Sequence, residues 1–394
     1  MHHGKYVFAQ VMETTAHYDF DKCVDTWEGH KAVRRLSCRE QFLAMAFGQL
    51  AYRESLRDVV TCLFAQRTKR YHLGFRAPIA RSTLAEANEK RDWRIYRDFA
   101  EVLIKEARKL YSDDPVFTLD LDGSCYAIDS TSIEMCLSVF PWAPYMQTAM
   151  QRKGAVKLHL VMDMRGSIPT FFHITHGKVH DIKFLDHVRF ERGAYYVLDK
   201  GYHDFARFFA ITTAGAFFVT RAKETTAFVR LYSNPCDTTG GLRCDQVIRL
   251  TQPSSCLRYP DTLRRIKYYD AEGDRYYVFL TNNFAIPAQT VADLYKHRWQ
   301  IELFFKWIKQ HLKIKTFWGH SKNAVQTQIC IALCSYLIVA ILKKRLKIKR
   351  NLYEILQILS VSLFDKTPLV ELFSQVELQE INMHPQTALP LLDI

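Results

Sequence analysis

Tyr295-Lys-His-Arg298-Trp299-Gln-Ile-Glu302, followed by Lys309, is the stretch on which the reading of this chain turns. Tyr295, Arg298, Glu302 and Lys309 stand at offsets of 0, 3, 7 and 14. At about 100° per residue, a helix gathers all four into one arc about 60° wide. Ile301, Phe304, Phe305, Ile308 and Leu312 fall beside that arc. The spacing predicts one helix with an apolar face for a core and, next to it, a stripe of one carboxylate, two cations and a phenol. Such a stripe suits the holding of a metal beside a phosphate. Its ordinary alternative is a solvated Arg–Glu pair worth about a few tenths of a kcal/mol, so the stripe needs partners from elsewhere in the chain.

Two candidates stand at the ends of apolar runs. Cys125-Tyr-Ala-Ile128 reads as a short strand ending at Asp129-Ser-Thr131, and Ala194-Tyr-Tyr-Val-Leu198 as a buried strand ending at Asp199-Lys200-Gly201-Tyr202. Side chains at strand ends are commonly displayed at the rim of a sheet. A lone Asp there is most often a turn or cap residue. The signal lies in the conjunction of Asp129, Asp199 and Glu302. Three carboxylates from different elements can share two hard cations about 4 Å apart across a phosphate. One ion activates a water or 3′-hydroxyl, and the other stabilises the leaving oxygen. Arg298 suits bidentate phosphate binding and Lys309 a point-charge contact. Tyr295 can donate to a phosphate or stack on a base.

Around these residues the chain divides by pattern. Residues 1–115 read as helical: Arg39–Tyr52 capped by Ser37, Leu56–Arg67 capped by Ser55, Thr83–Lys90 opened by Ser82, and Asp92–Tyr111. Basic residues recur there, from Arg53 to Arg91. A DNA-binding helix-turn-helix and a helical bundle with a solvated basic face fit this segment equally well. Residues 116–221 alternate strands with helices in the order β-β-β-α-β-α-β: strands Val156–Val161 and Ile168–Ile174, a helix Ile182–Phe190, a helix Phe205–Ala214 and a strand Ala216–Thr220. That order suggests a mixed sheet with helices packed on it. Residues 222–286 read as an inserted β subdomain, with strands Val247–Leu250, Ile266–Tyr269 and Tyr276–Leu280, a hairpin turn at Asp270–Asp274 and a loop at Thr239–Gly241. Residues 287–350 return to helix, and 351–394 form a C-terminal helical segment with a loose tail.

The 394 residues carry 54 Lys and Arg against 41 Asp and Glu, an excess of 54 − 41 = 13. This balance favours a polyanionic partner, with nucleic acid ahead of an anionic membrane. Hydrophobic residues make up 48%, which predicts a sizeable core and excludes disorder as the chain's general state. The ten cysteines form no C-x-x-C pair and read as reduced cytosolic thiols. Met1-His-His-Gly-Lys5 opens no signal peptide. The apolar run Ile329–Leu342 is short for a bilayer and fits a buried helix.

At the motif level the chain resembles the insertion sequence four family of DDE transposases. Tyr-x2-Arg-x3-Glu-x6-Lys at 295, 298, 302 and 309 is similar to that family's signature. Ile128-Asp129-Ser-Thr131 is similar to its first-Asp motif, and Asp199-Lys-Gly201-Tyr202 to its second. The resemblance spans about residues 117–345. It implies a ribonuclease-H-like α/β core: a mixed sheet flanked by helices, with an inserted β subdomain and an N-terminal helical domain. It also implies metal-dependent cutting and joining of DNA at the ends of an insertion sequence, through a hairpin intermediate in relatives. Asp129, Asp199 and Glu302 are then the ligands of two Mg²⁺ ions, with Mn²⁺ able to substitute. Tyr295, Arg298, Lys309, Lys200, Tyr202, Trp299 and Trp318 are the expected DNA contacts, set against core packing for both tryptophans. The expected partners are double-stranded DNA, as terminal inverted repeats and target, and a second copy of the chain in a synaptic complex, with no membrane. The expected setting is the bacterial cytoplasm, at the nucleoid. A sequence-specific DNA-binding protein without catalysis and a structure-selective nuclease on the same core are the competing readings. His173, His176 and His180 have loose metal-ligand spacing without a carboxylate or Cys partner. The run Lys343–Arg350 reads equally as a backbone-phosphate contact or a solvated helix end.

Overall fold

The structure, a computed structural model, describes residues 4–14, 17–31, 33, 35–112, 121–147, 152–238, 240–314 and 316–374. The expected boundary near residue 115, Thr239 of the loop at 239–241 and the tail beyond residue 374 lie outside the described residues.

The N-terminal segment is helical: α1 (Val7–Glu13), α2 (His17–Thr26), α3 (Cys38–Leu50), α4 (Leu56–Ala65), α5 (Arg81–Lys90) and α6 (Arg94–Tyr111). Ser37 closes a capping box on α3: its hydroxyl accepts from Glu40 N, and the Glu40 carboxylate accepts from Ser37 N. Ser55 caps α4 by accepting from Asp58 N. Ser82 does not open α5. That helix starts one residue earlier, with Ala80 at the cap and no side-chain bond.

Strands β1 (Cys125–Met135), β2 (Pro144–Gln147), β3 (Arg152–Asp163) and β4 (Ile168–His176) follow, then β5 (Tyr195–Leu198), α7 (Phe205–Thr213) and β6 (Phe217–Arg221). Next come β7 (Phe228–Asn234), β8 (Leu242–Leu250), α8 (Pro253–Arg258), β9 (Leu263–Asp270) and β10 (Arg275–Thr281). The chain then forms α9 (Ala288–His297), α10 (Trp299–His311), α11 (Lys322–Arg345), α12 (Leu352–Ser362) and α13 (Leu369–Phe373).

Among the described residues all ten strands join one sheet, in the order β2-β3-β1-β5-β6-β10-β9-β8-β7, with β4 also paired to β3. β4, β3 and β1 are antiparallel neighbours, while β1, β5 and β6 run parallel. That is the expected ribonuclease-H-like mixed sheet. The strands of the 222–286 segment do not form a sheet of their own. β10 pairs with β6 through Phe279↔Arg221, Leu280↔Thr220 and Thr281↔Val219, so they extend the same sheet.

Period-two alternation sorts the strand side chains into two cores. Cys125, Ala127, Tyr195, Val197 and Val219 join the larger core with the N-terminal helices, α9, α10 and α11. Tyr126, Ile128, Tyr196, Leu198 and Phe218 join a smaller core with Phe184, Phe208 and Tyr259 on the other face. Both faces are covered, which explains why these strands read as continuous apolar runs.

Three local expectations differ. β1 does not stop at Asp129 but runs on to Met135, because β3 continues to pair with it as far as Met135↔Gly154. The segment expected as a helix over Ile182–Phe190 is a 3₁₀ turn at Asp181–His187 followed by extended chain. The Tyr295 stripe is not on one unbroken helix: α9 ends at His297 and α10 starts at Trp299. Arg298 keeps helical dihedrals, but the turn tightens there, with Ile301 N donating to Arg298 O.

The apolar run at Ile329–Leu342 belongs to the 24-residue α11. By length and composition α11 could cross a membrane, but its apolar window is entirely buried inside the protein. It packs against α3, α5 and α6 as a core helix. All ten cysteines are free.

Candidate active site

Register places the first three site residues. The last parallel pairs are Ile128↔Leu198 between β1 and β5, and Leu198↔Thr220 between β5 and β6. The next position on each strand is Asp129, Asp199 and Arg221. Alternation turns all three toward the larger core, on the face where α10 packs against β1. Asp199 keeps extended dihedrals of φ −74° and ψ 163°, so it continues the pattern of β5. Ser130, one residue on, points to the opposite face, and its hydroxyl donates to Asp181 at 2.8 Å.

α10 brings Glu302 over the aspartates, and Arg298 ties the three together. Its guanidinium donates to Asp129 Oδ2 at 3.1 Å and to Glu302 Oε1 at 2.5 Å, and lies 4.0 Å from Asp199 Oδ1. Asp199 Oδ1 also accepts from Arg221 at 2.8 Å and from the Tyr295 hydroxyl at 3.1 Å. Three carboxylates thus meet two guanidinium groups, which leaves one net negative charge. Lys309 does not reach the carboxylates. Its Nζ donates to the Ser132 carbonyl of β1 at 2.9 Å, fixing α10 to the strand that carries Asp129.

Burial dominates the titration of this cluster. It pushes Asp129 from the ordinary 3.8 up to about 6; Arg298 pulls it down, while Asp199 and Glu302 add to the rise. Asp199 is lowered: burial raises it, but Arg298, the Lys200 backbone and Arg221 outweigh that. Burial lifts Tyr295 to about 12. Burial opposes the charge on Arg298, but its anionic neighbours prevail and raise it.

A pH prediction follows. Asp129 is protonated more readily in the folded state than in the unfolded one. Its contribution to stability is therefore fully present below about pH 3.8 and is lost as pH rises through about 6. Without divalent ions, Asp129 by itself is expected to contribute about 1.4 kcal/mol less stability at pH 7.5 than at pH 5, against the opposite contribution of the buried His159 and His203, which burial holds at about 4. Asp199 acts oppositely but only at lower pH, where its depressed carboxylate protonates. Urea unfolding at the two pH values checks this. Asp129→Asn should gain relative to the wild type by about that amount between pH 5 and pH 7.5; identical pH dependence in the two proteins would refute the assignment.

As placed, the carboxylates turn toward Arg298, and among the described residues no three His, Cys, Asp or Glu side chains stand close enough to share an ion. The donor set nonetheless fits a hard divalent cation. It is all oxygen, drawn from three elements, with a net negative charge and with one member, Asp129, raised toward neutral pH by burial.

The remaining expected contacts divide. Trp299 is 58% exposed at the start of α10. It lines a cleft of about 390 Å³ with Arg221, Tyr277, Tyr295, Arg298 and Glu302. Lys200 is partly exposed, with Nζ 4.0 Å from Glu224. Tyr202 is buried to 2% exposure in the smaller core, which corrects its reading as a surface contact. Trp318 packs on α3, where a Cβ added to Gly48 would lie 2.5 Å from its ring; it is partly buried against the larger core and does not line this cleft. His173 stacks on His187 at 4.6 Å, and His180 accepts from Ile182 N. Sequence reasoning missed Arg221. The signal was available: Phe217-Phe-Val-Thr-Arg221 follows the five-residue pattern of Tyr195–Asp199, with a cation in place of the acid.

The fold and site define a class, a ribonuclease-H-like core whose two aspartates and one glutamate face a single guanidinium. Residues 120–338 match the family described as transposase DDE domain, and the chain belongs to that family. Residues 3–76 match a domain of unknown function, DUF4372. Among curated proteins, the chain is 36% identical over 218 residues to a putative transposase, y4zB, of Sinorhizobium fredii, covering 54% of this chain and 59% of that protein. It is 30% identical over 230 residues to a probable transposase for insertion sequence element IS5377 of Geobacillus stearothermophilus, covering 57% and 58%. The matches thus span less than two thirds of either relative. The cryo-EM structure of the piggyBac transposase synaptic complex with hairpin DNA aligns with 92% of this chain and 81% of that one, at 11% identity and a TM-score of 0.49. The family assignment rests on the sequence match.

Proposed function

We propose that the chain is a DNA transposase that cuts the ends of its own insertion sequence and joins them to target DNA. The observation that carries this reading is the meeting of Asp129, Asp199 and Glu302 around Arg298 on a ribonuclease-H-like sheet. In this reading the three carboxylates hold two divalent ions, Mg²⁺ with Mn²⁺ as substitute. The ions supply an activated hydroxyl and charge for the leaving oxygen.

The chain's own residues position the strand. Among the described residues Arg298 is the only guanidinium that touches two of the acids, and it would hold a backbone phosphate beside them. Arg221 and Tyr295 orient Asp199. Lys309 fixes α10 against β1. Trp299, exposed in the cleft beside Arg298, stacks on an unpaired base, and Lys200 meets the flanking backbone. The helical segment of residues 1–115 holds the terminal repeats, and two copies bring two ends together. Strand joining through a hairpin belongs to the same reading, as does action in the bacterial cytoplasm.

The test uses duplexes carrying the DNA that brackets this reading frame. Purified protein is expected to nick them at the element boundary with Mg²⁺ or Mn²⁺ and not with a chelator. No cutting with either metal would overturn the proposal. Equal cutting of unrelated branched DNA would instead indicate a structure-selective nuclease.

A further inference from the structure

We propose that a second cleft, behind α10 and facing away from the acids, takes an unpaired nucleotide of a single DNA strand. The cleft encloses about 550 Å³, within the range of ordinary ligand sites. Gln300, Leu303, Trp307, His311, Lys343 and Tyr353 line it, with the Gly166–Ser167 turn between β3 and β4 at one side.

Its walls are aromatic. The His311 and Tyr353 rings stand 4.3 Å apart, and Trp307 lies 5.4 Å from His311 and 5.0 Å from Tyr336. Tyr353 is 41% exposed and Leu303 49%, so the apolar side of the cleft is open. The Gln300 carbonyl oxygen has no hydrogen-bond partner among the described residues. That side-chain oxygen is itself buried, so what the cleft offers a base is the open face of Tyr353.

The charge of the rim selects a polyanion. Among the described residues no carboxylate lines the cleft. Lys343 and Asn351 both line it, and the chain between them carries the basic run Lys343–Arg350, made of the last turn of α11 and the loop after it. Arg345 pairs with Glu106, and Arg350 lies 3.7 Å from Glu354. Among the described residues, Lys343, Lys347 and Lys349 have no acidic partner. The loop is ordered by Ile348 N donating to Lys343 O and by burial of Ile348. Lys347 sits just past the C-cap of α11 with φ +52°, a left-handed conformation that favours glycine. A lysine held there puts a cation outward at the expense of backbone strain, as functional positions often do. Stacking faces are free only on unpaired bases, so a single strand fits better than a duplex.

The site lies outside the acidic cluster, and its test is independent of turnover. Labelled oligothymidylate is titrated into Glu302→Gln protein and followed by fluorescence anisotropy at several salt concentrations. Tyr353→Ala is expected to weaken binding about ten-fold or more, as for the loss of one base–aromatic stack. Joint replacement of Lys343, Lys347 and Lys349 by Gln should lower the slope of log affinity against log salt by about 2, at roughly 0.7 per phosphate contact. Lys347→Gly should raise the unfolding temperature while weakening binding, which separates a folding defect from loss of the site. Wild-type affinity in both the Tyr353 and the triple Lys variants would overturn the proposal. So would displacement of the oligonucleotide by an equal concentration of an acidic peptide. Failure here leaves the cleavage reading untouched, because the acids are on the other face of α10.

Discussion

Glu302→Gln protein is expected to fold and to bind its DNA ends, yet to lose strand cleavage about a thousand-fold or more. The amide keeps the shape of the side chain and can still accept from Arg298, so packing and the α10 register survive. What disappears is one of three negative charges. A metal ion contributes several kcal/mol of charge stabilisation to phosphoryl transfer, at about 1.4 kcal/mol per factor of ten. Asp129→Asn and Asp199→Asn should behave alike, since both acids occupy the same register position on neighbouring strands. The measurement is nicking of end-labelled duplexes under saturating Mg²⁺. Full activity in the Glu302 variant would remove it from the site.

The second large effect concerns stability. Arg264 and Asp245 are 5% and 4% exposed and form a two-pronged pair between β9 and β8, at 2.9 and 2.7 Å. Arg264 also donates to the carbonyls of Ile286 and Asn283, just before α9. Asp245→Asn leaves a buried guanidinium without its counter-charge, and breaking such a pair costs about 3–5 kcal/mol. Replacing both residues with apolar ones of similar size should cost less, because no orphaned charge remains. Urea unfolding reports both variants. A loss below about 1 kcal/mol for Asp245→Asn would show that water or a rearranged carbonyl takes up the charge.

The three acids proposed to be catalytic are legible because each follows a buried strand or sits on an amphipathic helix, and both patterns are local. The run Cys125–Ile128 predicts a strand, but not that pairing with β3 carries it on to Met135. The wheel drawn from Tyr295 gathered the right residues although the helix is interrupted at Arg298, since one tightened turn shifts the phase too little to scatter them. It misplaced Lys309, whose partner is a carbonyl of β1 that no helix pattern can reveal. Tyr202 read as a contact because it adjoins Asp199, whereas burial depends on the 3₁₀ turn that follows β5. β7 was missed because five of its seven residues are exposed, so neither face shows alternation. Arg221 was passed over because a single cation after a strand looks ordinary until the strands are set side by side.

The ladder that runs without a gap from β1 through β5 and β6 into β10, β9, β8 and β7 makes the acids and the inserted strands one stiff plate. A strand of DNA resting on the far part of that plate is indexed to Asp129 and Asp199 at a fixed distance, as a workpiece is to a jig. Motion between successive chemical steps must then come from the polymer or from joints outside the plate. The tightened turn at Arg298 lies outside the plate, beside Glu302.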